Sequence, residues 1–400
     1  MKFYKLSECI ELVIDYRGKT PKKLGGDWVE EGVRVISALN VHNGYIDNEE
    51  KIRCVSDEVY KKWMQIEVKR DDCFIASEGA SLGENAIWDS DEKIVLGQRL
   101  YAVRTNPNIL DPWYFAMYMQ TKKFHQQIHQ ISTGSTVFGI SQPILLSMPL
   151  ALPPIKEQRK IGKLYKMIHR KIKLNEKINF ELENIAKTIY DYWFLQFEFP
   201  NDEGKPYKSS GGKMVWNEEL KKEIPDGWEV TQIDSVLSTV PSTRKKLKKE
   251  YLSRGKYPVI DQSSVYISGF TDDEKAVLFL KDAVVFGDHT KIIKYINFDF
   301  CRGADGTQIL LSNRENLPNI LLYHQVKNLN LVSQGYSRYF KFLKEKPIIL
   351  PNFEIAKQFK ITSEKLYQKI RSNIFENQEL TSLRDYLLPL LMNGQVGFKD

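Results

Sequence analysis

The chain has 400 residues, 42% hydrophobic and 12% aromatic, which is long enough for two or more packed domains and excludes a disordered polymer. Its 58 lysines and arginines against 51 acids leave a net charge of +7, an excess that permits nucleic-acid binding without demanding it. No run of about 18 apolar residues exists to span a membrane, and acids interrupt the first apolar stretch (MKFYKLSECIELVIDYR), so no signal peptide and a cytoplasmic location are expected.

Residues 1–148 carry short β-rich runs broken by Gly, Asn and Asp, such as GVRVIS (32–37) and LYAVR (100–104), with a helical stretch around Trp113–Phe124. An extended, proline-containing entry, PLALPP, then opens a region of helical periodicity over 149–198. Ile161, Leu164, Ile168, Ile172, Ile178, Leu182, Ile185, Ile189 and Trp193 recur in steps that form one stripe. Residues 199–226 hold Gly, Pro and Ser and read as a connecting loop. The segment 199–346 repeats the first texture, with AVVF (283–286), TQILL (307–311) and a helix around Pro318–Val326. PIILPN then opens a second helical region, 347–400, with Phe359, Leu366, Ile370, Ile374, Leu380, Leu383, Leu387 and Leu391 on its stripe.

The two helical regions are copies. Residues 149–189 match 347–387 without gaps at an offset of 198: Leu152-Pro153 with Leu350-Pro351, Asn175 with Asn373, Asn179 with Asn377, Glu181-Leu182 with Glu379-Leu380. GVRVISALNVHNGYI in the first globular segment lies beside GKYPVIDQSSVYISGF in the second, and residues 131–134 beside 332–335. The expected fold class is therefore α+β. Two similar mixed α/β domains, 1–148 and 199–346, are separated by two long helices forming an antiparallel coiled-coil pair about a pseudo-two-fold axis. Two helices docked on separate cores is the other reading. A helix of about 40 residues spans about 60 Å, so paired helices could act as a ruler between two bound half-sites.

Charge is arranged to suit this. Residues 156–187 hold ten Lys/Arg against four acids, and 243–256 hold seven against Glu250 alone. Arg244, Lys245, Lys246, Lys248 and Lys249 in the second domain, and Arg17, Lys19, Lys22 and Lys23 in the first, are candidate phosphate contacts; a solvated surface is the alternative. Base reading needs polar side chains on loops that can enter a groove. The candidates are Asn40, His42, Asn43, Ser77, Ser81, Gln98, Arg99, Ser132, Thr133, Ser135 and Thr136 in the first domain. In the second they are Gln262, Ser263, Ser264, Asp288, His289, Thr290, Lys291, Ser337, Arg338 and Lys341.

Catalytic readings find less support. Asp288-His289 invites a metal or acid–base role, but the six histidines show no ligand spacing with acids between. Asp-Glu-Lys at 91–93 and 273–275, and Asp226 with Glu229, lack a nuclease arrangement. No phosphate-binding Gly-x-x-x-x-Gly-Lys-Ser/Thr loop occurs, and no Asn-Pro-Pro-Tyr segment. The cysteines Cys9, Cys54, Cys73 and Cys301 have no Cys-x-x-Cys spacing and read as free thiols.

The chain resembles the specificity subunits of type I restriction–modification enzymes over nearly its whole length. The residues that carry this are LPPIKEQ (152–158), LNEKIN (174–179), IYDYWF (189–194), LRDYLLPLLMNG (383–394), FGDHT (286–290), GADG (303–306) and GYSR (335–338). The first domain lacks the last three motifs and rests on position and on RGKTP (17–21). The resemblance implies a non-catalytic subunit that reads a bipartite duplex DNA target, one half-site per domain. It implies two modification subunits as partners, with restriction subunits held through them, and no membrane. It implies no cofactor here, since S-adenosylmethionine, ATP and Mg²⁺ belong to those partners. A protein scaffold that binds no DNA, and the reader of a type II-like system, are the alternatives.

Overall fold

The computed structural model describes residues 1–47, 49–134, 138–331, 338–392 and 394–397. It divides into two compact units, Met1–Lys173 with Asn377–Asp400, and Leu174–Glu376. The sequence partition puts boundaries at the ends of the helical regions; the compact units instead divide each long helix.

In the first unit, Ile10–Asp15, Leu100–Thr105, Cys73–Ala76 and Asn85–Ile87 form an antiparallel sheet in that order. Its central strands are buried on both faces and read as near-continuous apolar runs. Alternation then sorts the side chains: Cys73, Ile75, Tyr101 and Val103 meet the helix Pro112–Met119, while Phe74, Ala76, Leu100 and Ala102 meet a second sheet. That second sheet orders Ile94–Leu96, Val33–Ile36, Arg53–Val55 and Trp28–Val29, with its first two strands parallel. Lys2–Lys5 pairs antiparallel with Pro149–Leu152, the strand that leads into the first long helix, Ile155–Tyr190.

The start of that helix is fixed by two residues. Buried Gln158 accepts from the Asp111 amide at 3.1 Å and donates to the carbonyls of Ile109 and Pro153 at 3.0 and 2.9 Å. Gly162 explains itself by proximity: a Cβ there would lie 2.3 Å from Asp111 Oδ1, the atom that caps Pro112–Met119 through the amides of Trp113 and Tyr114. The helix therefore approaches the neighbouring cap closely, which outweighs the poor helix propensity of glycine.

The second unit repeats most of the topology, with one strand fewer in its antiparallel sheet among the described residues. Gly269–Thr271, Tyr257–Ile260, Phe300–Arg302 and Val277–Leu278 form one sheet, with Tyr257–Ile260 and Phe300–Arg302 parallel. Ile293–Ile296, Ala283–Gly287 and Thr307–Leu310 form the other, backed by the helix Asn319–Lys327. Glu229–Gln232 pairs with Pro347–Leu350, which leads into the second long helix, Phe353–Met392. Both strand and helix starts keep the offset of 198 seen in the sequence.

Residues 199–226, read as a connecting loop, contain a β-hairpin, Met214–Asn217 with Lys222–Pro225. Aromatic rings tie the segment into the core of the second unit: Phe199 stacks on Tyr207 and on Trp228, with centroids 4.5 and 5.0 Å apart. Composition alone misses this, because the Gly and Ser residues mask the spacing of the rings.

The helices bury their stripes against each other within each unit. In the first, Ile161, Leu164 and Tyr165 pack with Leu387, Leu388 and Leu391, and Asn377 Nδ2 donates to the Ile172 carbonyl at 3.4 Å. In the second, Ala186, Tyr190 and Phe194 pack with Phe359, Tyr367 and Ile370. There Asn373 Nδ2 donates to Asn179 Oδ1, and Asn175 Nδ2 to Glu376 Oε2, both at 2.8 Å. In each case rising numbers on one helix meet falling numbers on the other, so the pairing is antiparallel. The first helix ends in a wider turn, Asp191–Leu195, and the second continues through Pro389 to Met392.

Two buried histidines lie at these helices, His169 on the first of them and His324 on Asn319–Lys327. His169 stacks on Tyr45 at 4.3 Å and contacts the Gly44 carbonyl at 3.1 Å; burial pushes its pKa down to about 4. His324 stacks on Tyr190 at 5.3 Å, and burial pushes it down to about 3. Both folded values lie below the unfolded value of about 6.5, so the unfolded chain takes up protons first. Their stabilising contribution is complete above pH 6.5 and is lost progressively between that pH and the folded values of about 4 and 3. Thermal melts should therefore decline from pH 7 to pH 5 by up to about 1.4 kcal/mol per pH unit for each histidine. The decline should be shallower in His169→Gln and His324→Gln; an unchanged slope would assign the acid sensitivity elsewhere.

Candidate nucleic-acid interface

In the first unit the edge where the parallel strands end opens into a cleft of about 730 Å³. It gathers five of the sequence-predicted residues, Lys19, Lys22, Ser81, Gln98 and Arg99. Its floor is apolar, with Trp28, Val35, Ala38 and Trp63, and Lys51 and Arg53 join its wall. The Arg53 guanidinium lies 3.7 Å from the centre of the Trp28 ring, a cation–π contact made across adjacent strands. Lys19 Nζ donates to the Trp63 carbonyl at 2.9 Å and sits 4.5 Å from the Tyr16 ring.

Other candidates of the first domain lie elsewhere. Asn40 is buried: its Oδ1 accepts from the amide and hydroxyl of Ser37, both at 3.1 Å, so it shapes its own turn. Ser77 is buried as well, and its amide donates to the Arg99 carbonyl at 2.9 Å. Both are corrections: Asn40 turns inward because its side chain satisfies the backbone of its own turn, whereas Ser77 is buried through its backbone pairing and its hydroxyl has no hydrogen-bond partner among the described residues. Arg17 is held by both oxygens of Asp15 over the Tyr101 ring, and Lys23 Nζ donates to Gly18. His42 contacts the Leu39 carbonyl at 3.1 Å, and Asn43 is exposed at φ +49°. Ser132 is half-buried, its hydroxyl donating to the His129 carbonyl at 2.8 Å, and Thr133 is exposed. Ser135 and Thr136 lie outside the described residues.

In the second unit, Gln262 ties three loops together. Its Nε2 donates to the Asp305 carbonyl at 2.9 Å, its Oε1 accepts from the His289 amide at 3.1 Å, and its carbonyl accepts from Thr290 Oγ1 at 2.7 Å. His289, Thr290 and Asp305 stand exposed around it, as does Ser264. Ser263 donates to Asp261, whose carboxyl is held below its ordinary pKa by hydrogen bonds from Ser263 and Ser268, despite partial burial that opposes them. Lys294 lies beneath this loop, donating to the Asp261 and Val265 carbonyls, and burial draws it down to about 8.

Asp288 is a further correction. It is 4% exposed, accepts from the amides of Phe340 and Tyr339, and so anchors the helix Tyr339–Lys344. Lys246 is likewise buried, paired with Asp273 at 2.6 Å, while Arg244, Lys245, Lys248 and Lys249 remain exposed, Arg244 paired with Glu250. The Lys246 backbone bonds to Arg302 and Ala304, which sets the basic loop beside the 303–306 turn. Lys291 Nζ donates to Leu331; Arg338 and Lys341 are exposed, and Ser337 lies outside the described residues.

The sequence reading passes over Lys51, Arg53 and Asp305. Arg53 is brought to Trp28 by antiparallel pairings that no local pattern encodes, whereas the left-handed Asp-Gly turn at 305–306 is a usable signal. Among the described residues, no group of three or more His, Cys, Asp or Glu could hold a metal ion, and no helix is long and apolar enough to cross a membrane.

Gly306 tests the loop cluster. It has φ +69°, and a Cβ would fall 2.6 Å from both Gln262 Nε2 and His289 Cδ2. Gly306→Ala should break the Gln262 bonds and lower affinity for duplex DNA. Gly227→Ala, at φ +80° with nothing within 4 Å, should show only the strain of the left-handed backbone, about 1–2 kcal/mol. Equal DNA affinity in the two variants, by fluorescence anisotropy, would remove the cluster from the interface.

The family model described as the type I restriction modification DNA specificity domain matches residues 1–184 and 225–383. The chain is 26% identical over 310 residues to the type I restriction enzyme MjaIX specificity subunit of Methanocaldococcus jannaschii, covering 72% of this chain and 69% of that one. It is 22% identical over 413 residues to the type I restriction enzyme HindI specificity subunit of Haemophilus influenzae, covering 82% and 87%. Its fold is similar to the crystal structure of the S subunit of a type I restriction-modification system from M. genitalium, with a TM-score of 0.56 over 98% of this chain and 96% of that one, at 15% identity. Matched over most of its length in two stretches, with the duplicated fold that those stretches share, the chain belongs to the type I restriction modification DNA specificity family.

Proposed function

We propose that this chain reads a bipartite duplex DNA target for a type I restriction–modification complex, one half-site per globular domain, 1–148 and 199–346. The helical regions 149–198 and 347–400 hold two modification subunits and, through them, restriction subunits. The chain performs no chemistry itself; methyl transfer from S-adenosylmethionine, and ATP- and Mg²⁺-dependent cleavage, belong to those partners in the cytoplasm.

The observation that supports this best is a pairing of sameness and difference. Both domains share a parallel strand pair leading into an antiparallel sheet, and at the same edge each presents a different set of exposed side chains: Lys22, Gln98 and Arg99 in one, His289, Thr290 and Asp305 in the other. A duplicated scaffold with unlike loops suits two unlike half-sites.

The test is selection of bound duplexes from a randomised pool by the full chain. Two separated short consensus blocks are expected. One contiguous block would refute the bipartite reading, and no enrichment would favour a protein scaffold.

The exposed basic loop gives a second prediction. Replacing Arg244, Lys245, Lys248 and Lys249 by Gln, while leaving the buried Lys246, should weaken binding to all duplexes. The log–log salt dependence should flatten by about 0.9 for each phosphate no longer neutralised. An unchanged slope would make the loop a solvated surface.

A further inference from the structure

The two domains carry an equivalent turn with opposite charge. In the first, Gly97, Gln98 and Arg99 join Ile94–Leu96 to Leu100–Thr105; in the second, residues 303–306 join Phe300–Arg302 to Thr307–Leu310. Each turn leaves a strand paired in parallel with its neighbour and enters a strand of the antiparallel sheet. Each begins with the same bond: the Gly97 amide donates to the Ile36 carbonyl at 2.7 Å, and the Gly303 amide to the Ile260 carbonyl at 2.8 Å. Each holds a non-glycine residue in the left-handed region, Arg99 at φ +61° and Asp305 at φ +55°.

A left-handed arginine is unfavourable and persists only where its surroundings fix it. Here the Arg99 carbonyl accepts from the Ser77 amide, and its side chain, exposed on the cleft wall, is held through Nε by Glu78 Oε1 at 3.0 Å. Glu78 is fixed in turn by a backbone bridge to Gly139. A carboxylate on Nε leaves the two terminal nitrogens of the guanidinium as its outward edge. That edge matches two acceptors on one base, the O6 and N7 of guanine in the major groove.

We propose that Arg99 is a specificity-determining residue that reads a guanine in the half-site of the first domain, with Glu78 positioning its fork. Asp305 puts an acceptor at the same place in the second domain, so the half-sites differ at the base pair that this turn faces. The inference rests on the DNA-reading function proposed above.

The experiment repeats the selection with full-length Arg99→Gln and Arg99→Lys, followed by anisotropy on duplexes that differ at one base pair. The wild-type preference for guanine at one position of one half-site should fall roughly tenfold to a hundredfold in Arg99→Gln, with every other position unchanged. Arg99→Lys keeps the charge but not the fork. It should lose most of the same preference while keeping the wild-type salt slope, and it covers the case in which Arg99→Gln fails to fold. A loss of affinity equal for all duplexes, with a salt slope shallower by about 0.9, would make Arg99 a phosphate contact and overturn the proposal. So would an unchanged consensus in both variants. A wild-type chain that selects no sequence would instead overturn the DNA-reading function itself.

Discussion

A long helix with one apolar stripe cannot stand alone in water, and this molecule follows from how that stripe is covered. In each unit the stripe of one helix is buried by the other, running the opposite way. Hydrophobic contact alone would tolerate several registers. The duplicated asparagines do not, because a buried amide must find a partner: Asn373 finds Asn179, and Asn175 finds Glu376. The same duplication that copied the stripe copied these amides, so the seam carries its own register marks.

The globular domains meet a different demand, which is to hold irregular loops still. Each uses its parallel strand pair as a fixed edge and suspends the turn from it by one glycine amide. Beyond that they diverge. The second domain joins its loops through a single side chain, Gln262, and supports them from below with Lys294. The first uses ionic and aromatic contacts, Arg99 with Glu78 and Arg53 with Trp28. Rigid loops lose little freedom when a ligand binds, which favours discrimination over adaptability.

Legible in the sequence are the features written in period or repetition. The offset of 198 locates both helices and both entry strands, because helical spacing and proline placement are local signals. The β-rich texture gives the strands Val33–Ile36, Leu100–Thr105, Ala283–Gly287 and Thr307–Leu310. The direction in which a loop residue faces is not legible. Asn40 turns inward to bond Ser37, while Leu39 beside it is 65% exposed. Polarity predicts the reverse, but within a tight turn the backbone competes for the amide and wins. Asp288 and Lys246 turn inward for another reason: each has a partner distant in sequence, Phe340 and Asp273, that only the folded chain supplies.

The first compact unit is built from two stretches far apart in sequence, since Asn377–Asp400 belongs with Met1–Lys173. On a ribosome these arrive far apart in time. Ile161, Leu164 and Tyr165 emerge early, and Leu387, Leu388 and Leu391, which cover them, follow more than two hundred residues later. At about 5–20 residues per second the interval is on the order of ten to forty seconds. Throughout that interval the apolar seam that those leucines cover stays open. Its folding is thus closed by a segment synthesised long after its sheets, and a chain stalled before residue 377 would keep its first unit incomplete, however well the sheets had formed.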